Sequence, residues 1–351
     1  MDHKKSVAVF GITGADFIPL IQNSLPDWDV IGWTNADGEA LRDEIISKAE
    51  AAVVSPDFVL TPGNFGALML GQNLKLICQP WVGVDWIDPA QLPKDLIFCN
   101  ASGHAAPIAE YVMAAILNQA TEINTLSHNL KTKGDWSRGG RNTSLEAFHN
   151  DVARKTIGLI GYGEIAQAVA KRAEAFDMNI IAVARSSRNE TPAPLSWIGT
   201  RSDLDRLCQE SDYIVLTCDL NEETQDMIGA NQFAAMKPNC HIINVARGEV
   251  IEEESFFNAL ANKTIAGATI DTWYRYPTDV TVPEEDPDRG GIFRGSRFDF
   301  LSLDNVTATP HAAAHTKGAD YGRYVSVSES LQSYAKGETI KRHVITGTGG
   351  E

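Results

Sequence analysis

Three residues with catalytic side chains each follow a short apolar run in the second half of the chain. Arg247, Asp271 and His311 lie at the carboxyl ends of strand-like segments, the place where open α/β sheets bind ligands. An arginine there suits a carboxylate, and a histidine suits proton transfer near neutral pH. Taken alone, each residue is better explained by a structural role: Arg247 by a surface ion pair, Asp271 by a helix cap and His311 by core packing. Together they favour one site that binds and protonates an acid substrate beside a cofactor.

A glycine-rich turn earlier in the chain predicts that cofactor. The apolar run 157–160 leads into Gly161 and Gly163. A predicted helix lies between these glycines and the next apolar run, 180–183, with apolar positions at Ile165, Val169, Ala173 and Phe176. In such a unit the first glycine permits a tight turn and the second lets the backbone approach a pyrophosphate. The helix N-terminus, at Glu164 and Ile165, presents N–H groups to the anion. The flanking strand and helix favour dinucleotide binding over an ordinary turn.

The residues after the run 180–183 predict which dinucleotide is preferred. A carboxylate that binds the adenosine ribose is expected about 20 residues after the glycines, but Ala184 stands there, followed by Arg185, Ser186, Ser187 and Arg188. Arginine attracts a 2′-phosphate that an aspartate would repel. We therefore predict NADPH as the preferred cofactor. The alternative is that these arginines are solvated and that the protein uses NAD without the acid.

Strand-like runs in both halves of the chain predict two α/β layers. The second half has six, at 157–160, 180–183, 213–217, 241–245, 266–270 and 305–309, as in a doubly wound sheet of two mononucleotide-binding halves. The first half has five, at 7–10, 30–33, 51–54, 76–78 and 97–99. The predicted fold is α/β with two Rossmann-like domains, a flavodoxin-like substrate domain and a dinucleotide-binding domain.

Two helical stretches, 105–131 and 317–336, follow the last run of each half. The first has Pro107 near its start, where proline is tolerated. If both helices cross between the domains, the substrate domain comprises 1–103 plus 318–351, the dinucleotide-binding domain comprises 104–317, and the site lies in the cleft between them. The segment 276–303 is too long for an ordinary connection and is either functional or disordered.

Size and charge limit the remaining classes of function. A length of 351 residues exceeds the roughly 250–300 residues at which a single core stops growing. The net charge of −16 argues against nucleic acid and anionic membranes as partners. The five cysteines have no metal-ligand spacing, so they predict buried thiols of a reducing, cytoplasmic environment and no metal site. The N-terminal residues predict neither a signal peptide nor a membrane span.

Motifs along nearly the whole chain resemble those of the D-isomer-specific 2-hydroxyacid dehydrogenases. In this chain, residues 74–77, 83–85 and 87–88 resemble the family's substrate-domain signature. Residues 108–110 resemble the start of its interdomain helix. Later motifs match at Asn244, 246–248, 236–238, 266–268 and 309–311.

This resemblance implies a role for each candidate site residue. Arg247 binds and polarises a 2-oxo acid, His311 transfers the proton, and Asp271 helps to hold the nicotinamide carboxamide. The N–H groups of Val82 and Gly83 cradle the substrate carboxylate, as a concave set of amides can. The predicted cofactor contacts are Gly161, Gly163, Glu164, Ile165, Arg185, Ser186, Arg188, Cys218, Val245, Asp271 and His311. By resemblance alone, Trp136 and the loop 138–141 lie at a homodimer interface.

Tyr276 is a departure from the family. A glutamate usually stands there, hydrogen-bonds the catalytic histidine and keeps it protonated. Because tyrosine is neutral below about pH 10, Tyr276 can orient the imidazole but adds little charge stabilisation. We expect the pKa of His311 to lack its usual upward shift, so that reduction fades at a lower pH. Formate dehydrogenases of the same fold carry a neutral glutamine there, and an acid in the segment 277–303 could replace the missing one.

Trp81 stands where the family commonly has a small residue. With Trp273, Tyr274 and Tyr276 it could line an aromatic pocket for a flat substrate group. The alternative, equally weighted, is that these rings pack in the core or between domains.

The sequence therefore predicts an oxidoreductase that transfers a hydride between NADPH and a 2-oxo acid, similar to glyoxylate/hydroxypyruvate reductases. A second hypothesis is a non-catalytic, dinucleotide-sensing scaffold of the corepressor kind, against which the retained Arg247 and His311 argue. A third is oxidation of a small anion such as formate or phosphite.

Overall fold

The computed structural model describes residues 4–84, 86–138, 148–276, 295–342 and 344–349. The chain divides into two compact units, the first comprising Met1–His104 with His315–Glu351 and the second comprising Ala105–Ala314. Asp85, most of the loop 138–141 and most of the segment 277–303, on which predictions were made, lie outside the described residues.

Strands and helices alternate through both units. The strands are β1 (Ser6–Phe10), β2 (Asp29–Trp33), β3 (Ala51–Val54), β4 (Leu76–Cys78), β5 (Ile97–Cys99), β6 (Thr156–Ile160), β7 (Asn179–Val183), β8 (Trp197–Gly199), β9 (Tyr213–Leu216), β10 (His241–Asn244), β11 (Gly267–Ile270), β12 (Val306–Ala308) and β13 (Val344–Thr346). The helices are α1 (Ile12–Ala15), α2 (Ile18–Ser24), α3 (Glu39–Lys48), α4 (Pro56–Leu60), α5 (Asn64–Leu68), α6 (Ala105–Thr121), α7 (Ile123–Lys133), α8 (Glu164–Glu174), α9 (Leu204–Glu210), α10 (Ala230–Ala235), α11 (Glu253–Ala261) and α12 (Lys317–Ala335).

The first unit is built on a sheet whose described strands lie in the order β13-β5-β4-β3-β1-β2. The strands β1 to β5 are parallel and in flavodoxin-like order, and β13 is antiparallel to β5. Alternate residues enter two cores: Val7 and Val9 pack in one, and Ala8 and Phe10 in the other. Burial on both faces explains why these strands are continuous apolar runs.

The second unit is built on a parallel sheet in the order β12-β11-β10-β9-β6-β7-β8. This is the strand order of doubly wound dinucleotide-binding domains, extended by one strand. The predicted fold class is therefore confirmed. The prediction of six strands in this half was wrong, because the structure adds β8 as a seventh. Only three residues long and half-buried at the sheet edge, β8 lacks the apolar run that marks the inner strands.

Two helix predictions also need correction. The stretch 105–131 is not one helix: α6 ends at Thr121, and α7 begins at Ile123, because Glu122 adopts a left-handed conformation with φ of 53°. Phe176 does not belong to the buried helix face, since α8 ends at Glu174 and the Phe176 side chain is 40% exposed. Every helix among the described residues is too short or too polar to cross a lipid bilayer.

Candidate active site

The glycine turn after β6 is held against the end of β9. Gly161 has a φ of 88°, and a Cβ atom on it would lie 2.8 Å from the backbone nitrogen of Cys218. Both the positive φ and this close approach require glycine. The Thr217 hydroxyl lies 3.2 Å and 3.1 Å from the carbonyl oxygens of Ile160 and Gly161. The turn is therefore fixed from the neighbouring strand, and the predicted contacts Gly161 and Cys218 lie together.

Gly163 leaves open space at the N-terminus of α8. It is the N-cap residue of that 11-residue helix, and a Cβ atom on it would meet nothing within 4 Å. The first helical residues, Glu164 and Ile165, follow directly. A helix N-terminus with glycine at its N-cap suits an anion that needs close approach to backbone N–H groups. These residues fit the pyrophosphate of a dinucleotide.

The basic residues after β7 lie beside the glycine turn. Arg185, Ser186 and Arg188 are exposed. The Arg188 guanidinium lies 5.3 Å from the centre of the Tyr162 ring, and its Nη2 donates to the Tyr162 carbonyl oxygen at 3.4 Å. Arg185 forms no ion pair or hydrogen bond with any described residue. The basic side chains therefore fit a phosphate group at this end of the sheet.

An open depression of about 540 Å³ lies next to Tyr162 and Arg188. Its lining includes Lys171 from α8 and the loop 192–194. The sequence did not single out Lys171, because an exposed helix lysine carries no local signal of a role.

Arg247 is positioned by the turn that follows β10. The Asn244 side chain is 1% exposed; its Nδ2 donates to the Arg247 carbonyl oxygen at 2.9 Å, and its Oδ1 accepts from the Ala246 N–H at 3.0 Å. A Cβ atom on Gly248 would lie 2.6 Å from the Trp273 carbonyl carbon. The buried amide of Asn244 and the glycine thus determine where the arginine leaves the sheet. Val245, a predicted cofactor contact, lies in the same turn.

The segment that carries His311 is held by Asp271, which follows the neighbouring strand β11. The Asp271 carboxylate is 1% exposed; Oδ1 accepts from the Thr309 hydroxyl at 2.6 Å and the Ala312 N–H at 2.8 Å, and Oδ2 accepts from the Ala313 N–H at 3.0 Å. His311 itself has a φ of 56°, a conformation that persists in a non-glycine residue only where its surroundings hold it. Asp271 therefore anchors the segment that carries the histidine. Its predicted contact with the nicotinamide carboxamide stays a prediction, and Oδ2 has the lone pairs for another donor.

Tyr111 of α6 extends this hydrogen-bond network. Its hydroxyl lies 2.5 Å from the Thr309 hydroxyl. Because Thr309 donates its proton to Asp271, Tyr111 donates to Thr309. Burial raises the pKa of Tyr111, which keeps its proton in place. The sequence gave no signal for Tyr111, since its partner is far away along the chain.

Tyr276 contacts the imidazole through its ring. The ring centres of Tyr276 and His311 are 5.4 Å apart, and the planes are tilted by 45°. The Tyr276 hydroxyl accepts from the Trp273 N–H at 3.2 Å. Burial raises the pKa of Tyr276, and the charge of Arg247 opposes that shift. Tyr276 is thus a neutral neighbour of His311, within electrostatic reach of Arg247.

Trp273 and Tyr274 pack in the core of the second unit, which supports the packing alternative over an aromatic pocket for both. The Trp273 Nε1 donates to the Thr309 carbonyl oxygen at 2.9 Å, and the Tyr274 hydroxyl donates to the Ile251 carbonyl oxygen at 3.0 Å. In the first unit Trp81 is half-buried and stacks on Trp86, with ring centres 6.3 Å apart.

The strand order, the glycine turn before α8, and an arginine after β10 and a histidine after β12, on either side of β11, are typical of dinucleotide-dependent oxidoreductases. Residues 113–313 match the model of the D-isomer specific 2-hydroxyacid dehydrogenase NAD-binding domain. The chain belongs to this family, whose cofactor is NAD(P).

Three comparisons place the chain within the family. It is 36% identical over 251 residues to the hydroxypyruvate reductase of Thermotoga maritima, covering 71% of this chain and 74% of that protein. It is 31% identical over 328 residues to the D-3-phosphoglycerate dehydrogenase of Methanocaldococcus jannaschii, which is 93% of this chain but only 58% of that longer protein. A solved family member from Aeromonas salmonicida superimposes with a TM-score of 0.77 at 18% identity, over 97% of this chain and 98% of that chain.

Proposed function

We propose that the protein is an NADPH-dependent reductase that converts small 2-oxo acids of the glyoxylate and hydroxypyruvate type into D-2-hydroxy acids. The observation that carries this proposal is the grouping of Arg247, Tyr276 and His311 after β10, β11 and β12, which are neighbours in one parallel sheet. A guanidinium can stabilise the negative charge that develops on a carbonyl oxygen, and an imidazole can then donate a proton to that oxygen. The similarity to a hydroxypyruvate reductase supports the same substrate class.

In this mechanism Arg247 binds the substrate carbonyl oxygen and polarises the bond. The N–H groups of Val82 and Gly83 bind the substrate carboxylate. The hydride for the carbonyl carbon would come from the reduced nicotinamide of bound NADPH. His311, which lies in the segment held by the Asp271 carboxylate and packs against Tyr276, donates a proton to the oxygen. Gly161, Gly163 and the first turn of α8 hold the pyrophosphate, and Arg185, Ser186 and Arg188 hold the 2′-phosphate.

A spectroscopic assay tests this function directly. The purified protein is mixed with NADPH and, separately, with glyoxylate, hydroxypyruvate and phenylpyruvate, and the absorbance of the reduced cofactor is followed. Consumption with a 2-oxo acid is the expected result. Tight NADPH binding without turnover of any acid would favour a cofactor-sensing scaffold, and reduction of NADP by formate or phosphite would favour oxidation of a small anion.

Cofactor preference is tested by replacing Arg185 and Arg188 together with serine. Each charge-assisted hydrogen bond to a phosphate contributes about 1.5–3 kcal/mol, so we expect the loss of both to raise the KM for NADPH at least about 100-fold. The KM for NADH, which lacks the 2′-phosphate, should remain within about threefold, because no charged hydrogen bond is lost. The control is Arg206→Ser on α9, whose guanidinium stacks on Trp197. Equal changes for both cofactors would show that Arg185 and Arg188 do not contact the 2′-phosphate.

We further infer a homodimer, as the family resemblance implies. Three large apolar side chains on α7 and the loop after it are exposed in the single chain: Ile123 at 63%, Leu130 at 40% and Trp136 at 72%. Exposed apolar clusters commonly mark association surfaces. Light scattering should give a mass twice the 38.2 kDa of the chain. A mass equal to one chain at assay concentration would contradict the dimer.

A further inference from the structure

Two side-chain amides lie at the carboxyl ends of neighbouring strands in the first unit's sheet, close to the segment 81–83. Gln79 directly follows β4, and Asn100 directly follows β5. The two strands are parallel, with Cys78 opposite Cys99 in the register. Gln79 and Asn100 therefore leave the sheet side by side at the carboxyl ends of neighbouring strands.

These amides hold three consecutive carbonyl groups. The Gln79 Nε2 donates to the Gly83 carbonyl oxygen at 2.6 Å and to the Trp81 carbonyl oxygen at 3.3 Å. The Asn100 Nδ2 donates to the Val82 carbonyl oxygen at 2.9 Å. The carbonyl groups of the whole segment are thus bound by side chains of the sheet.

Holding a carbonyl also orients the N–H group that follows it. In a planar trans peptide the C=O of one residue and the N–H of the next point in opposite directions. The Gln79 contact with the Trp81 oxygen therefore turns the Val82 N–H away from Gln79. In the same way, Asn100 turns the Gly83 N–H away from itself. Neither N–H donates to any residue within the described parts of the chain, so both have a hydrogen bond left to make.

Gln79 is costly as a purely structural residue. Its side chain is fully buried, and its Oε1 has no hydrogen-bond partner among the residues that the structure describes. A buried acceptor without a partner lowers the free energy of unfolding. The two hydrogen bonds that Gln79 donates offset this cost, and both go to the segment 81–83.

We propose that Gln79 and Asn100 are positioning residues that preorganise the Val82 and Gly83 N–H groups as the binding site for the substrate carboxylate. This inference rests on the proposed function for the identity of the anion. Neither side chain needs to touch the substrate, because each acts through the peptide group that it holds. Two N–H donors that are held in place before binding need not reorganise when the acid binds.

The test uses Gln79→Met, which keeps the side-chain length but removes both donors, and Asn100→Leu as an independent variant. The matched control is Gln22→Met: the Gln22 Nε2 also donates to two carbonyl oxygens of this unit, those of Leu25 and Trp28, at 3.2 Å and 3.0 Å. That turn leads into β2 at the opposite, amino edge of the sheet. Calorimetry measures binding of oxalate, steady-state kinetics measures the KM for glyoxylate, and fluorescence measures binding of NADPH.

We expect each of the two variants to weaken oxalate binding and lower kcat/KM for glyoxylate about 100-fold, the effect of misplacing a binding group by about 1 Å. NADPH affinity should stay unchanged, because the proposed cofactor contacts lie in the second unit, and Gln22→Met should leave all three values unchanged. Wild-type oxalate affinity in both folded variants, or no oxalate binding by the wild type, would overturn the inference. Weakened oxalate binding with no wild-type turnover of any 2-oxo acid would instead leave the inference standing and reject the proposed function.

Discussion

Replacing Arg247 by alanine should lower kcat/KM for glyoxylate at least about 1000-fold, since removal of a single neutral oxyanion donor already costs about 100- to 1000-fold. In the proposed mechanism the guanidinium supplies a charge and two parallel donors to the substrate, and alanine supplies neither. The loss should appear in both kcat and KM, because the arginine binds the acid in the ground state and stabilises the charge that develops later. Steady-state assays with glyoxylate and NADPH measure it.

A lysine at position 247 separates the effect of charge from that of geometry. Arg247→Lys keeps the charge but loses the planar fork, so we expect an activity between those of the wild type and Arg247→Ala. The Asn244 contacts that hold this turn are made to backbone atoms, so neither substitution removes them. Arg206→Ala, in an exposed helix position, is the arginine control and should be fully active. Wild-type rates for Arg247→Ala would remove this residue from the mechanism.

Replacing His311 by asparagine should lower kcat about 100- to 10000-fold, the range that a general acid contributes. Asparagine is the suitable replacement because His311 has a φ of 56°, and asparagine tolerates this left-handed conformation better than alanine does. The Asp271 hydrogen bonds go to neighbouring residues and should survive. The KM for glyoxylate should change little, because proton donation stabilises the transition state more than the bound substrate.

The pH profile distinguishes a lost proton donor from a disturbed site. Wild-type reduction should decline as the imidazole loses its proton, whereas the residual activity of His311→Asn should show no such decline over the same range. His149→Asn, at an exposed position, controls for a generic loss of imidazole. An unchanged kcat, or an unchanged pH profile in the variant, would show that the proton comes from another group.

The local chemistry of the chain was readable without the fold. Short-range rules for turns and strand periodicity were enough to place Gly161 and Gly163 after an apolar run. The same rules placed Arg247, Asp271 and His311 at the ends of later runs. The same rules missed β8 and β13, which contain no buried residue and lie at the edges of their sheets, where strand pairing stabilises them. They also missed the break at Glu122, since a single left-handed residue leaves the apolar pattern of the flanking helices intact.

Amino-acid order by itself determined which residues stand at the carboxyl ends of the strands, because strand periodicity and glycine turns are encoded within a few neighbouring positions. Only the tertiary structure decided which groups hold them. Tyr111 and Thr309 are 198 positions apart in the chain yet share a hydrogen bond. The Asp271 carboxylate accepts hydrogen bonds from the segment that carries His311. Gln79 and Asn100 both donate to carbonyl groups of one loop. Such contacts depend on strand order and burial, and these emerge only when distant segments pack together.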